Sequence, residues 1–485
     1  MKEVTLTIDG QKYTVPEGTL LIDACEMNGI YVPRFCYHKH LTPSGNCRMC
    51  LVKIEKNPKP QPACMTKAMD GMIIYTNTEE IQEMRKAMLE YVLINHPLDC
   101  PICDKAGECM LQDQYMMFSG EKSRFNETKV AKEKLIDLSD KIVYDAERCI
   151  ACSRCVRFSR EVSGTNKLGL VERGDKTYVS LAPGDTFNDP YSLCVTDLCP
   201  VGALTTRHFR FRERVWNLHK TESVCDGCSR GCNVTVETMD NKIYRVTPRE
   251  NDAVNHSWMC DYGRERYYSV DHNRLTGIKI NGGAKTYKSF VEDIAQLLKE
   301  NADTFAVVLS SHATNEELSL MRQLCDSLGM KSIFTKADRE WDKAGGEIES
   351  DDILIKADKS PNLTGVKKIF PDAREISEMV ISNYKNALVW GPNAPMEKLS
   401  GLKLFTISTI KDQVADRSDW LIAGKTPAEK HGSFTNFNGT VQSFRRAVKG
   451  EDNYDDLLFL VDLLKELQIQ PIGRTVDEVR SSVNS

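Results

Sequence analysis

Cysteine placement constrains this chain more than any other feature. Seventeen of its eighteen cysteines lie between Cys25 and Cys260, and everything after Cys260 holds only Cys325. Eighteen in 485 residues is far below the roughly 8–10% of a small disulfide scaffold. The first ten residues, MKEVTLTIDG, carry charges at Lys2, Glu3 and Asp9 and lack the apolar run of a secretory signal. No stretch approaches the ~18 apolar residues of a membrane helix; even Leu457–Leu464 is broken by Asp462. These features predict a cytosolic chain, and in a reducing compartment grouped cysteines read as metal or redox sites. The length suggests about three domains. A formal net charge of −5 argues against a basic nucleic-acid binder.

The first group is Cys36, Cys47, Cys50 and Cys64, spaced C-x10-C-x2-C-x13-C. Upstream, Val4–Ile8 and Lys12–Val15 flank Asp9-Gly10, a two-residue hairpin signal. A helix fits Thr19–Met27, Tyr31–Asn46 reads as a Pro- and Gly-bearing loop, and Leu51–Ile54 as a short strand. Two strands, a helix and a cysteine loop before another strand follow the β-grasp plan of plant-type ferredoxins. The spacing departs from the plant-type C-x4-C-x2-C…C. It resembles instead the ferredoxin domain at the front of complex I and hydrogenase subunits, and that resemblance implies a [2Fe-2S] cluster. A structural zinc site with four thiolates uses the same donors.

The second group is His96, Cys100, Cys103 and Cys109, spaced H-x3-C-x2-C-x5-C. Ile81, Met84, Met88, Tyr91 and Val92 recur at helical spacing ahead of it. Asn77 and Glu80 offer a capping-box-like start, and Pro97 leaves His96 at the helix edge. A histidine there usually complements a helix end, but three cysteines just downstream need a fourth ligand. Zinc with three cysteines and one histidine uses the same donors. The string also resembles the [4Fe-4S] motif of the same subunits, in which one imidazole replaces a thiolate.

The third group, Cys149, Cys152 and Cys155, begins a bacterial ferredoxin run whose expected x3-C-P is missing: Ser159 and Arg160 stand there. Cys199-Pro200 resembles the end of a second run, but its partner positions hold Asp189, Ser192 and Val195. The reading is a two-cluster plan that keeps one [4Fe-4S], held by Cys149, Cys152, Cys155 and Cys199. Cys194 is one residue out of register and reads as a buried thiol.

The fourth group is Cys225, Cys228, Cys232 and Cys260, spaced C-x2-C-x3-C-x27-C. Val234–Glu237 and Lys242–Val246 flank Asp240-Asn241, a second hairpin. The arrangement resembles the N-terminal cluster domain of molybdopterin oxidoreductases and implies a [4Fe-4S]; zinc again shares the donors. Cys25 and Cys325 fall in apolar helical runs and read as core.

Taken in order, the four groups resemble the large iron–sulfur subunits of bacterial complex I (NADH:quinone oxidoreductase) over residues 1 to about 275. The resemblance implies one [2Fe-2S] and three [4Fe-4S] clusters relaying electrons from a flavin subunit toward quinone, as part of an oxidoreductase that does not turn over alone. It implies partners in the flavin/NADH-binding subunit and the quinone-proximal iron–sulfur subunits. It also implies a peripheral location on the cytoplasmic face of the inner membrane, with membrane association only through the complex and no nucleic acid. The fold class expected is multidomain α+β and α/β. Residues 1–77 form a β-grasp ferredoxin domain, 78–138 a helical segment with the histidine-plus-three-cysteine site, and 139–217 a bacterial-ferredoxin-like domain. Residues 218–275 form the fourth cluster domain and 276–485 a shortened molybdopterin-oxidoreductase-like α/β domain.

In that last part, Phe305–Leu309, Ala387–Trp390 and Lys403–Ile407 read as strands between helices such as Asn315–Leu328. Glu429–Asn436 and Gly439–Gln442 resemble a late molybdopterin-oxidoreductase segment. With Cys325 mid-helix no molybdenum thiolate is evident, so the expectation is a scaffold without molybdenum or pterin. No G-x-G-x-x-G is present, and Gly283 replaces the lysine of the nearest P-loop approximation at Gly277–Gly282, so flavin and NAD are expected on a partner. A non-catalytic iron–sulfur subunit of a soluble NAD-linked hydrogenase or formate dehydrogenase is the competing reading; a zinc scaffold is another. Arg48, Arg148, Arg154 and Arg157 lie in or beside the cysteine loops, either as solvated side chains or as charges offsetting the thiolates. Arg207–Arg212 interleaves basic and aromatic residues, which reads as packing or subunit contact.

Overall fold

The computed structural model describes residues 2–119, 122–269, 273–336, 349–450, 452 and 454–484. They fall into two compact units, Met1–Leu218 and His219–Ser485. The architecture is multidomain and mixes helices with sheets. Among the described residues no helix is long and apolar enough to cross a membrane.

The first unit opens with a hairpin. Strands Glu3–Ile8 and Gln11–Pro16 pair antiparallel, and Asp9 and Gly10 both take positive φ, 47° and 88°. A two-residue turn needs that conformation to match strand twist. Glu3–Ile8 pairs in parallel with Ile73–Tyr75, which pairs antiparallel with Leu51–Ile54, and Gln61–Pro62 closes the five-stranded sheet. Val4, Leu6 and Ile8 point inward at period two and meet Leu21, Ile22 and Cys25 of helix Leu21–Met27. That alternation places one sheet face in the core and leaves the other wet.

Helix Glu79–Leu93 follows. Its N-cap is Thr78, whose hydroxyl accepts from Ile81 N at 3.3 Å; the capping role expected of Asn77 falls one residue later. The helix ends at Leu93, so His96 lies in the following loop and not on the helix edge. The remainder of this unit is built on helix Arg154–Glu161 and the short helix Cys194–Leu198. Beside them, strand Ile142–Tyr144 lies between Leu204–Thr206 and Ile136–Asp137.

The second unit begins with three antiparallel strands, His219–Val224, Asn233–Met239 and Lys242–Pro248. Asp240 and Asn241 turn the second hairpin with φ of 49° and 60°. An eight-stranded sheet follows. Its central strands Trp420–Ala423, Lys403–Ser408, Asn386–Trp390, Phe305–Leu309 and Ile333–Thr335 run parallel. Phe305–Leu309 and Asn386–Trp390 are buried along their whole length, as parallel strands covered on both faces must be. Helices Tyr287–Asn301, Asn315–Leu328 and Asp456–Glu466 supply Phe290, Leu318, Leu324 and Phe459 to that core. Cys325 is one of its members.

Candidate metal centres

None of the eighteen cysteines is paired in a disulfide. Fifteen of them and His96 form four sets. In the first, the Cys36 thiol lies within hydrogen-bonding reach of Cys47 and Cys64, and Cys50 within reach of Cys64. These shared hydrogen bonds push Cys36 and Cys50 down and Cys47 and Cys64 up. Three of the four are carried on a loop and one on the return past strand Leu51–Ile54. Four soft donors converging at this range suit a thiophilic cation or cluster.

In the second set, His96, Cys100, Cys103 and Cys109 line one cavity of about 640 Å³. The His96 Nδ1 atom is buried and has no hydrogen-bond partner among the described residues. Burial pushes the imidazole down to about 4, which keeps it neutral and its lone pair available. A buried, unsatisfied ring nitrogen on a histidine that shares its cavity with three thiols suits a ligand role. Burial also raises the Cys103 thiol, and Cys109 to about 11.

In the third set, Cys149, Cys152, Cys155 and Cys199 line a single cavity with Tyr144, Val179, Val201 and Leu204. Burial pushes Cys152 up to about 12 and raises Cys155 well above the ordinary thiol range. The Tyr144 hydroxyl hydrogen-bonds the Cys149 thiol and accepts from Val179 N at 2.9 Å. Asp189, Ser192 and Val195, the positions of the missing second set, are buried. Cys194 is buried in the short helix beside them.

In the fourth set, Cys225, Cys228, Cys232 and Cys260 act electrostatically on one another. Cys225 N donates to Cys232 O at 2.8 Å, and Cys260 Sγ caps helix Asp261–Glu265 by accepting from Gly263 N at 3.4 Å. Burial raises Cys260 to about 12. The late segment around residues 429–442 returns to this set. Strands Gly432–Thr435 and Val441–Phe444 form a hairpin. Gln442 Nε2 donates to Gly231 O at 2.7 Å, and Phe437 N to Ser229 O at 2.9 Å. The loop between Cys228 and Cys232 is therefore clamped by residues some two hundred positions away.

The arginines divide in a way that spacing did not reveal. Arg48 is exposed. Arg148, Arg154 and Arg157 are buried, against the ordinary solvated reading. Arg148 already has carboxylates: Nη2 reaches Asp99 at 2.7 Å and Nε reaches Asp145 at 3.3 Å. Arg154 and Arg157 donate instead to main-chain carbonyls of the cysteine loops. Gly202 and Gly263, where an added β-carbon would press on ligand-set thiols, were also invisible in the motif spacing.

Comparison with known proteins gives four family matches in the same order. Residues 1–79 match the 2Fe-2S iron-sulfur cluster binding domain, and 85–124 the NADH-ubiquinone oxidoreductase-G iron-sulfur binding region. Residues 139–205 match the ferredoxin-like domain of NADH-quinone oxidoreductase subunit 3, and 218–272 the molybdopterin oxidoreductase Fe4S4 domain. The NADH-ubiquinone oxidoreductase 75 kDa subunit of Reclinomonas americana is 38% identical over 361 residues, covering 73% of this chain and 52% of that protein. An NADH-quinone oxidoreductase subunit of Streptomyces coelicolor is 43% identical over 276 residues, covering 56% of this chain and 33% of that protein. The chain thus spans about half the length of the first of these and a third of the second. A solved NAD+-reducing [NiFe]-hydrogenase chain aligns at 26% identity and a TM-score of 0.40, over 44% of this chain and 91% of that one. The chain is homologous to the 75 kDa subunit of NADH-ubiquinone oxidoreductase and to its counterparts in NADH-quinone oxidoreductases, and its cysteine-rich half carries 2Fe-2S and 4Fe-4S binding domains.

Proposed function

We propose that this chain is an electron-transfer subunit of a respiratory NADH:quinone oxidoreductase, passing electrons from a flavin subunit through iron–sulfur clusters toward quinone. The observation that carries the proposal is the convergence of four separate donor sets, three of them within the first unit. In this reading Cys36, Cys47, Cys50 and Cys64 hold one [2Fe-2S]. His96 with Cys100, Cys103 and Cys109 holds a [4Fe-4S]. Cys149, Cys152, Cys155 and Cys199 hold a second, and Cys225, Cys228, Cys232 and Cys260 a third. The clusters supply one-electron chemistry when bound, at potentials within roughly −700 to +450 mV.

The chain's own residues have a limited task. Thiolates and one imidazole fix the irons. The neutral His96 leaves its set one negative charge short of a four-thiolate set. Apolar walls such as Val179, Val201 and Leu204 keep water from the third set, which favours fixed dipoles over reorganising solvent. No catalytic acid or base is required, and flavin, NAD and molybdenum belong to other chains or to none. The domain plan follows the ligand sets: 1–77, 78–138, 139–217 and 218–275, with 276–485 as the scaffold that clamps the fourth loop. Partners are the flavin/NADH-binding subunit and the quinone-proximal iron–sulfur subunits, and they bring the chain to the cytoplasmic face of the membrane.

Iron and sulfide analysis with EPR of the reduced protein tests this. The expected result is about fourteen irons per chain, with one [2Fe-2S] and three [4Fe-4S] signals, and no NADH oxidation by the chain alone. A colourless preparation holding zinc and no iron rejects it.

A further inference from the structure

Helix Arg154–Glu161 starts between Cys152 and Cys155 and carries two arginines that face the neighbouring cysteine loops. Arg157 is 5% exposed. Its Nη1 donates to Thr42 O at 2.5 Å, its Nη2 to Cys36 O, and Nη2 also lies 3.4 Å from Cys152 O. Its Nε donates to Ser153 Oγ at 3.2 Å. One guanidinium therefore meets the carbonyls of two ligand-set cysteines, Cys36 of the first set and Cys152 of the third. Arg154, 6% exposed, repeats the pattern one turn earlier. It donates to Tyr37 O at 2.6 Å and Leu198 O at 3.2 Å, and its Nη1 lies 3.6 Å from Met110 Sδ. Those three residues adjoin Cys36, Cys199 and Cys109.

None of these hydrogen bonds goes to a carboxylate. A buried guanidinium normally has one, as Arg148 does in the same unit. The thiols acting on Arg154 are Cys152, Cys199 and Cys36. Two buried positive charges hydrogen-bonded to carbonyl dipoles need a negative partner, and a thiolate-bound cluster on either side supplies it. The planar fork of arginine is also suited to spanning two fixed acceptors.

We infer that Arg157, seconded by Arg154, is a positioning residue shared by the first and third sets. It sets the spacing between them and acts as a common counter-charge, so that the two clusters' potentials move together. This rests on the ligand assignment proposed above. A positive charge near a cluster stabilises the reduced form, which is more negative by one electron, so removing it lowers the potential.

The test uses the full chain with its clusters, and EPR-monitored redox titration beside iron and sulfide analysis. In Arg157→Gln, the [2Fe-2S] signal and the third set's [4Fe-4S] signal both shift to lower potential. The fourth set's signal moves less, and iron content is unchanged. In Arg157→Lys, which keeps the charge, both shifts are smaller. If either signal of Arg157→Gln keeps its wild-type potential at full iron content, the inference fails. Should Arg157→Gln shed iron, Arg157→Lys decides alone: both potentials staying near wild type supports the inference, and a fall in only one overturns it. A wild-type protein without iron–sulfur signals fails the ligand assignment itself, a result distinct from disobedient variants of an iron-loaded protein.

Discussion

Gly202 lies so close to Cys103 that a β-carbon added to it would sit 2.2 Å from the thiol sulfur. The glycine follows Cys199-Pro200-Val201, so the chain leaving the third set is what walls the second. Even alanine is excluded unless the Cys103 side chain turns away. Gly202→Ala is expected to lose iron from the histidine-bearing site while the other three sets stay loaded. Iron analysis and the missing [4Fe-4S] EPR signal check this, with circular dichroism showing the fold intact.

The fourth set has its own version of this constraint. A β-carbon on Gly263 would lie 2.7 Å from Cys225 Sγ and 3.6 Å from Cys260 Sγ. Gly263→Ala should release the fourth cluster alone. The [2Fe-2S] signal of the first unit serves as the internal control and should be unchanged.

Replacing His96 separates ligand number from ligand charge. His96→Ala removes a donor, and iron at that site should fall. His96→Cys restores a fourth donor but adds negative charge, so its [4Fe-4S] should form and titrate at lower potential than in the wild type. A higher potential in the cysteine variant contradicts the ligand role of His96.

The second unit contains a buried ionic cluster with two acids and one base. Lys430 Nζ lies 2.9 Å from Glu317 and 3.3 Å from Asp456, and all three side chains are at most 4% exposed. Lys430→Met strands two buried carboxyls and should cost about 3–5 kcal/mol, read by denaturant unfolding. Burial raises Glu317 to about 7, because one ammonium shared with Asp456 only partly offsets the loss of water. An acid raised on folding binds its proton more tightly when folded. Its contribution is therefore complete below its ordinary value near 4.5 and disappears as pH climbs to about 7. Stability of the wild type relative to Glu317→Gln should fall between about pH 4.5 and 7 and level off above that. The usual paired carboxylate would give the opposite slope.

Cys25 and Cys325 are each pushed up to about 12, chiefly by burial. A thiol held neutral reacts slowly. Neither should be alkylated in the native protein at about pH 8, and Cys25→Ala and Cys325→Ala should keep full iron content.

Much of this was written locally in the chain. The turns at Asp9-Gly10 and Asp240-Asn241, the strand Phe305–Leu309 and the helix Asn315–Leu328 come from short-range preferences and periodicity. The cysteine strings were legible because loop ligands close together in sequence need little chain closure to meet. The N-cap lies at Thr78, one residue beyond Asn77, because both residues are good caps and only the path of the chain into the helix separates them.

Tertiary structure alone decided what stands between the donor sets. Arg148, Arg154 and Arg157 look alike in sequence, each close to a cysteine. Folding gives the first a carboxylate at Asp99 and the other two the carbonyls of distant loops, Arg157 meeting Cys36 and Arg154 meeting Tyr37 and Leu198. The closeness of Gly202 to Cys103 and of Gln442 to Gly231 is of the same kind. Sequence by itself determined which residues can bind metal, since donor chemistry belongs to the side chain. Packing decided which charges and surfaces surround them, since burial and contact between residues far apart in the chain exist only once the chain has closed on itself.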